Sequence, residues 1–567
     1  MATKPLIIKD WDQGIADSPH KGFQLMKNVN IEDSPGAVMA GFQPDELFYT
    51  PIEEEFTANA STDAITIAMP SVQGLAVTFS NAGGALPAGL SAATVYFLRY
   101  VDATHATVHT TIANAIANTK VDITGTGTGT HTVATVDPGA IKHILYSGIT
   151  YLCLDDNGRV WFLSSSYFLL LNGNTLTSVS GNGMCSFVNS DATATYLLVF
   201  RNALIDVINI TALTNLRTPS WSNGWQSLNS PAGNDCSHHC INYPSEDNII
   251  YFCDSRYVGS IKENSGQVFD PANAATYTYN NQALDLPNGE TAYWLETLGT
   301  RLLVSANTSD KIYPWDRISD SFYLPLTVPE KEVWKIKNLG NIVYIQAGRN
   351  GNIYQTQGSY VRLFKKIPLS VINNSAKTTT NPMGSDGWGG IDGRNGNLIV
   401  GIDCASSGND GVYVFYPDGR FVIDNQPLSG AIKPTALFTL GTSYVMGYEG
   451  GAGFGATAGT RYSNYEAVIH SGLYRLATKT EKATFSTLEV VTSQVPSSGT
   501  NYVRVKYRTD NNPDTAFSDF PTEALFTFNS TSDAVQEIDI GLIDIENIQI
   551  QIELSGNVEL VSLRFIP

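Results

Sequence analysis

Seven times between about residue 143 and residue 477 the chain repeats one local pattern: a short apolar, β-rich run, a Gly/Asn/Asp turn, and a second apolar run ending in an aromatic residue. The clearest copies are Ile149–Phe162 (ITYLCLDDNGRVWF), Tyr196–Ile210 (YLLVFRNALIDVINI) and Asn248–Ile261 (NIIYFCDSRYVGSI); Arg301–Trp315, Asn341–Tyr354, Asn397–Val422 and Thr442–Leu476 continue the series. Equivalent strands recur every 40 to 56 residues or so, roughly the period of small antiparallel sheets stacked radially on one another. The expected fold is all-β, with a β-propeller of about seven blades at its centre. Propellers present surfaces more often than chemistry, so function has to be argued from the flanking parts as well.

A chain of 567 residues exceeds a single core and predicts two to four domains. Its six cysteines, at 153, 185, 236, 240, 253 and 404, are sparse and irregular, which points to reduced thiols rather than a secreted disulfide framework. The start, MATKPLIIKDWDQG, has no basic-then-apolar leader, and no apolar run reaches membrane-spanning length, so no signal peptide and no membrane span are expected. Acidic residues outnumber basic ones 53 to 34, giving a formal net charge of -19, while only 15% of residues are charged. Such a polar, acidic surface lacks the clustered Lys and Arg that nucleic-acid binding needs. The tightest basic group, Lys331, Lys335 and Lys337 with Lys365 and Lys366, reads as a solvated face.

Four segments are expected. Residues 1–56 alternate apolar positions at Val29 and Ile31, then Val38 and Ala40, around a Ser34-Pro35-Gly36 turn; they form a hairpin feeding the first blade, and an N-terminal strand there could complete the last blade. Residues 57–136, rich in Ala, Thr and Gly, read as an inserted small β domain in which GTGTGTHTV (Gly125 to Val133) is a turn. No helix follows that glycine run and the GxGxxG spacing is absent, so it is no phosphate loop. Residues 137–477 are the propeller. Residues 478–567 alternate in six to eight short strands and read as an antiparallel β-sandwich; even Glu546–Glu553 favours a strand through Ile548, Ile550 and Ile552.

Few residues suggest chemistry. Cys236-Ser-His238-His239-Cys240, with Cys253 nearby, has zinc-ligand residue types. One short cluster closes a tetrahedron poorly, however, and adjacent histidines point in different directions. A polar blade loop with incidental thiols is the simpler reading. Asp156-Asn157-Gly158-Arg159-Val160-Trp161 matches part of the aspartate turn of propeller glycosidases, and Asp418-Gly419-Arg420-Phe421 resembles it; an Asp-Gly hairpin turn explains both. Asp155, Asp156, Asp316, Asp320 and Asp403 read as turn or blade-edge residues, and Glu53-Glu54-Glu55 as a solvated linker. Most of the 27 tyrosines should fill space between blades. The expectation is therefore of no enzyme, no catalytic or metal site, and no cofactor.

Three stretches resemble tailed-bacteriophage virion proteins. NVNIEDSPGAVMAGF resembles the opening of such proteins. SANTSDKIYPWDRISDSFYLPL with GNIVYIQAGRNGNIYQTQGSYVRLFKKIP (Ser305 to Pro368) resembles the propeller of their tail proteins, and Ala76 to Val133 looks like a small β module recurring in phage structural proteins. The resemblance implies a tail nozzle or hub subunit of a short-tailed phage. It implies further a ring of six copies around the DNA channel below portal and adaptor, supporting fibres or spikes, with DNA passing without specific binding. Assembly in the host cytoplasm and residence in the virion tail would follow. The alternatives are a tail-tip adhesion protein that binds glycan and, third, a propeller glycoside hydrolase.

Overall fold

The computed structural model describes residues 6–9, 15, 23–31, 37–40, 52–68, 71–148, 150–164, 167–171, 181–201, 203–211, 221–229, 238–243, 248–348, 350–367, 390–402, 411–425, 434–441, 443–448, 451–455, 467–476, 482–493, 501–509 and 515–567. Among these the chain is all-β, with one short helix, Ile112–Ala117, and one 3-10 turn, Ala274–Thr276. No helix among the described residues is long and apolar enough to cross a membrane.

Seven antiparallel sheets follow one another along the described chain. The first is Ile141–Tyr146, Tyr151–Asp155, Val160–Ser164 and Tyr167–Leu170; the second Gly181–Val188, Thr195–Arg201, Leu204–Asn209 and Trp221–Ser227; the third Cys240–Tyr243, Ile249–Asp254, Tyr257–Glu263 and Tyr277–Asp285. The fourth is Ala292–Leu298, Arg301–Ala306, Lys311–Trp315 and Leu326–Thr327; the fifth Val333–Leu339, Ile342–Ala347, Asn352–Thr356 and Val361–Lys365. The sixth is Ile391–Arg394, Asn397–Ile402, Gly411–Phe415 and Phe421–Asn425, and the seventh has three described strands, Ala436–Leu440, Ser443–Tyr448 and Gly451–Gly455. The first strand of each sheet packs on the first strand of the next, and Ala436–Leu440 closes on Ile141–Tyr146. This is the radial arrangement of a β-propeller.

The repeated sequence pattern marks the second and third strands of each sheet. In the first six sheets those strands have neighbours on both sides and pack between sheets, so most positions are apolar: Ile249–Asp254 and Asn397–Ile402 are buried throughout. Large rings fill the wedges between sheets, as where Trp315 meets Tyr251 edge-on at 5.6 Å between the fourth and third sheets.

The inserted module is a closed six-stranded barrel running from Glu53–Asn59 to Thr128–Thr135. Glu53, Glu54 and Glu55 are therefore not a linker; they pair with Thr132–Ala134 as the barrel's first strand. The Gly/Thr run is only half a turn, because its second part, Thr128–Thr135, closes the barrel against Gln73–Ala85 and Glu53–Asn59. Closure is tight: Gly129 has φ +86°, and a Cβ there would sit 2.4 Å from the Ala82 carbonyl oxygen. The short helix, unforeseen, starts at Thr111, whose hydroxyl accepts the Asn114 N–H, and buries Ile112 and Ala115. The barrel shares a core with the ring: Phe56, Phe79 and Leu98 join Leu152, Phe162 and Leu197 in one cluster.

Among the described residues the N-terminal strands pair with neither the first sheet nor the last one. Leu6–Ile8 pairs with Leu560–Ile566, and Phe23–Lys27 pairs antiparallel with Ala467–Ser471 while touching Phe421–Asn425 in parallel. The expected hairpin exists, Val29–Asn30 with Met39–Ala40, and Val38 bridges to Leu560. Ala467–Ser471, expected in the last repeat, pairs instead with Asn547–Ser555. One ten-stranded sheet thus runs from the sixth sheet through Phe23–Lys27 and Ala467–Ser471 to Asn547–Ser555, Asn501–Arg508 and Ala524–Phe528, with Tyr474–Arg475 beside it. Four further strands, Leu6–Ile8, Leu560–Ile566, Ala483–Thr492 and Val535–Ile545, make a second sheet. Leu488, Val490 and Phe565 of that sheet share a core with Val503, Phe526 and Ile550 of the first.

Candidate functional site on the ring axis

Where seven first strands converge, side chains that would be buried between sheets can turn toward the axis. In four sheets the pairing register slips by one residue near the start of the first strand. Ile141 faces Asp155 but His143 faces Leu154; Gly181 faces Arg201 but Gly183 faces Phe200. Likewise Ala292 faces Ala306 but Trp294 faces Ser305, and Val333 faces Ala347 but Lys335 faces Gln346. Each slip is a bulge that admits one extra residue and re-aims the side chains beside it.

The bulges of the first, fourth and fifth sheets, with the segment that enters the third, bring residues of four sheets together. His239, just before the third sheet, lies flat on Trp294 of the fourth, ring centroids 3.6 Å apart at 17°. His143 of the first sheet lies 6.2 Å from His239 and 6.5 Å from Trp294, almost parallel to the indole. The Lys335 ammonium of the fifth sheet stands 5.1 Å from the Trp294 ring centre, a cation–π contact. The two bulge residues Tyr293 and Trp334 meet edge-on at 5.6 Å and pack with Trp294. One level along, the Lys337 ammonium lies 2.7 Å from an Asp392 carboxylate oxygen, whose second oxygen accepts the Thr439 N–H at 2.7 Å.

Burial sets the charges. His239 is held far below the usual imidazole range, first by burial and then by His143, Lys335 and Lys337, so its ring is neutral. Its Nδ1 accepts the Leu295 N–H at 3.0 Å, which puts the ring proton on Nε2. Lys335 is pushed down to about 7 by burial and by the like charge of Lys142. Glu296 is raised by burial, against the pull of Lys337. Lys337 loses to burial but gains more from Asp392 and Glu296, and is raised. The level nearer the strand starts is thus cationic and aromatic, and the next is charge-balanced.

No family model matches the sequence, and no curated protein does. Solved structures similar to it include the β-propeller domain of Cps50 (Swd1) from Myceliophteria thermophila, with 9% identity, TM-score 0.39, 57% of this chain and 99% of that one covered. A streptogramin B lyase is similar at 14% identity and TM-score 0.38, covering 56% and 93%, and BamB from Moraxella catarrhalis at 10% and 0.31, covering 55% and 81%. At such identities no activity carries over.

Position in the ring corrects several of the expectations about individual side chains. Lys331, Lys335, Lys337, Lys365 and Lys366 do not share a solvated face: Lys331 and Lys366 are exposed, Lys335 is buried at the axis, Lys337 pairs with Asp392, and Lys365 stands over Phe421. In the Cys/His cluster, Cys236 lies outside the described residues. His238, at φ 45°, is buried with neither ring nitrogen bonded, while His239 faces the axis and Cys240 is buried with Cys185. The two histidines diverge as expected, and among the described residues no three His, Cys, Asp or Glu are grouped to hold a metal ion. Among the described residues Cys153, Cys185, Cys240 and Cys253 form no disulfide, and all four are buried; Cys404 lies outside the described residues.

Asp155 is fully buried, and its carboxylate accepts the N–H groups of Gly139, Asn157 and Arg159 and the Trp161 indole N–H. It organises the turn that Asp156-Asn157-Gly158 makes. Asp316 likewise closes a turn, accepting Ile318 and Ser319 N–H, and Asp418 accepts from Arg420. Asp320 is exposed, and Asp403 lies outside the described residues. Sequence reading missed His143, Trp294, Glu296 and Asp392. The available signal was the break in alternation at Tyr293-Trp294 and Trp334-Lys335, where two aromatics or an aromatic and a lysine stand in tandem.

Proposed function

We propose that the seven sheets are the seven blades of one propeller, that the C-terminal sheets form a β-sandwich welded to it, and that the chain is a non-enzymatic virion protein of a tailed bacteriophage, a tail nozzle or hub subunit. The observation that carries this reading is the ten-stranded sheet running unbroken from the sixth blade into the C-terminal unit. A hydrogen-bonded sheet resists hinge motion between its parts, and the barrel is fused to the first blades through a shared core. A body built to stay rigid suits a load-bearing ring better than it suits turnover. In this reading six copies form the ring, adaptor and portal-side proteins contact one side, and fibres or spikes the other. DNA passes through the space the copies enclose, not through the axis of one chain, which side chains cross. The net charge of -19 keeps DNA from adhering. Exposed apolar residues on turns of the fourth and fifth blades, Ile318 and Leu324 at 88% and Tyr360 at 68%, suit contacts with protein neighbours.

The test is mass spectrometry of gradient-banded particles with immunogold labelling by an antibody to this chain. Label at the tail, with peptide abundance near six copies per particle, is the expected result. Protein found only free in lysate would overturn the reading.

A further inference from the structure

We propose that a cleft in the inserted barrel, between residues 57–59 and 128–130, binds an extended peptide segment that carries a basic side chain. The proposal does not depend on the virion reading. The first and last strands of the barrel are joined by four residue pairs, from His131 opposite Phe56 to Ala134 opposite Glu53. Beyond His131 the two strands part: residues 57–59 pair on their other side with Ala64–Thr66, and Thr128 and Thr130 pair with Ala85 and Ala82. A bulge at Gly129 bends the closing strand beside the parting. Successive residues of a strand aim their N–H and C=O groups to alternate sides, so each parted edge presents main-chain groups that no described strand pairs. The space between the edges is a cleft of about 760 Å³, with Glu55, Thr57, Ala58 and Thr66 on one wall and residues 126–131 on the other.

The cleft offers main chain and hydroxyl groups rather than rings. Thr57, Thr66, Thr126, Thr128 and Thr130 are exposed along it, a residue type that suits β pairing. Its two rings are withdrawn: Phe56 is 3% and His131 7% exposed, Phe56 packs on Phe79 at 5.0 Å, and the nitrogens of His131 are bonded to Asn81 and Thr126. A sugar has no exposed aromatic face to lie on here. An extended backbone meets strand edges, the basis of recognition by strand addition. Charge then selects the side chain. Glu55 is the carboxylate of the lining, Glu53 stands exposed two positions before it, and neither has an ion-pair partner among the described residues. Glu54 differs, accepting the Ala68 N–H at 3.2 Å. A lysine or arginine in the bound segment supplies the complementary charge.

The experiment uses the full chain and a fluorescent, capped hexapeptide alternating valine with lysine. Saturable anisotropy is expected, weakened about tenfold or more when glutamate replaces lysine, and again when the peptide amides are N-methylated and cannot donate. Glu55→Gln should weaken the lysine peptide several-fold; the side chain is exposed, so the barrel does not depend on it to fold. Amide exchange read by mass spectrometry should slow at residues 57–59 and 128–130 when the peptide is added, and stay the same in the fourth to sixth sheets. Maltohexaose, a neutral oligosaccharide, should not displace the peptide. No saturable binding at millimolar peptide, equal binding of the N-methylated or glutamate peptide, binding undiminished in Glu55→Gln, protection confined to other segments, or displacement by maltohexaose would overturn the proposal.

Discussion

His239 lies on Trp294 at 3.6 Å and its Nδ1 accepts the N–H of the next residue, Leu295. One side chain from the start of the third sheet is thereby fastened twice to the first strand of the fourth. The ring is held at its narrowest point by this clamp as well as by the wedges farther out.

Breaking the clamp tests its weight. Trp294→Leu should cost about 1–3 kcal/mol through lost stacking and contact area. His239→Phe keeps a ring over the indole but strands the Leu295 N–H, costing about 1–3 kcal/mol. The double variant should lose less than the sum, because the two residues act on one contact. Urea unfolding of the four chains, followed by near-ultraviolet dichroism, gives the comparison; full additivity would show that the two do not cooperate.

His238 should make the fold acid-sensitive. Burial pushes its imidazole down to about 4, against about 6.5 in the unfolded chain. The unfolded state therefore takes up the proton first, and stability falls as pH drops from about 6.5 to about 4, by roughly 3 kcal/mol in all. His238→Leu should flatten that part of the profile. Lys335 acts with the same sign at higher pH: its folded value near 7 lies below its unfolded value, so stability should rise between about pH 7 and 10. Melting temperature against pH for wild type, His238→Leu and Lys335→Met separates the two windows.

Asp155 supports the first sheet by gathering four donors, and its loss is graded by how many are stranded. Asp155→Ala leaves buried N–H groups of the turn and Trp161 without acceptors and should cost about 3–5 kcal/mol. Trp161→Phe removes one donor and some volume and should cost less, about 1–3 kcal/mol. Chemical denaturation ranks them; the reverse order would mean that packing of the indole, not the carboxylate, organises the turn.

Barrel closure has its own weak point at Gly129. Alanine there would be strained by φ +86° and would clash with the Ala82 carbonyl. Gly129→Ala should open the pairing of Thr128–Thr135 with Gln73–Ala85 and raise amide exchange in both strands, leaving the fourth to sixth sheets unchanged. Exchange measured by mass spectrometry reads each segment, and unaltered protection of the barrel strands would count against the contact.

The sheets were legible where the chain is apolar on both faces. Tyr196–Ile210 and Asn248–Ile261 announced their hairpins because nothing but β structure accommodates two such runs about a tight turn. Ile548, Ile550 and Ile552 announced a strand by alternating, and all three are fully buried. Phe23–Lys27 was another matter. Its composition says only that it is extended; its partner, Ala467–Ser471, is more than 400 residues away in a stretch that also looked like a continuation of the last repeat.

The sequence by itself determined the all-β class, the repeated hairpins and the segments they occupy, since alternation and turn residues are local properties of the chain. Only the tertiary structure decided which strands the N-terminus joins and what stands on the axis. Lys335, His239 and Trp294 are separated by 41 to 96 positions, and each alone reads as an ordinary surface or core residue. They become a site because one-residue bulges turn Trp294 and Lys335 toward a point where His239 meets them, and that point exists only when the ring closes.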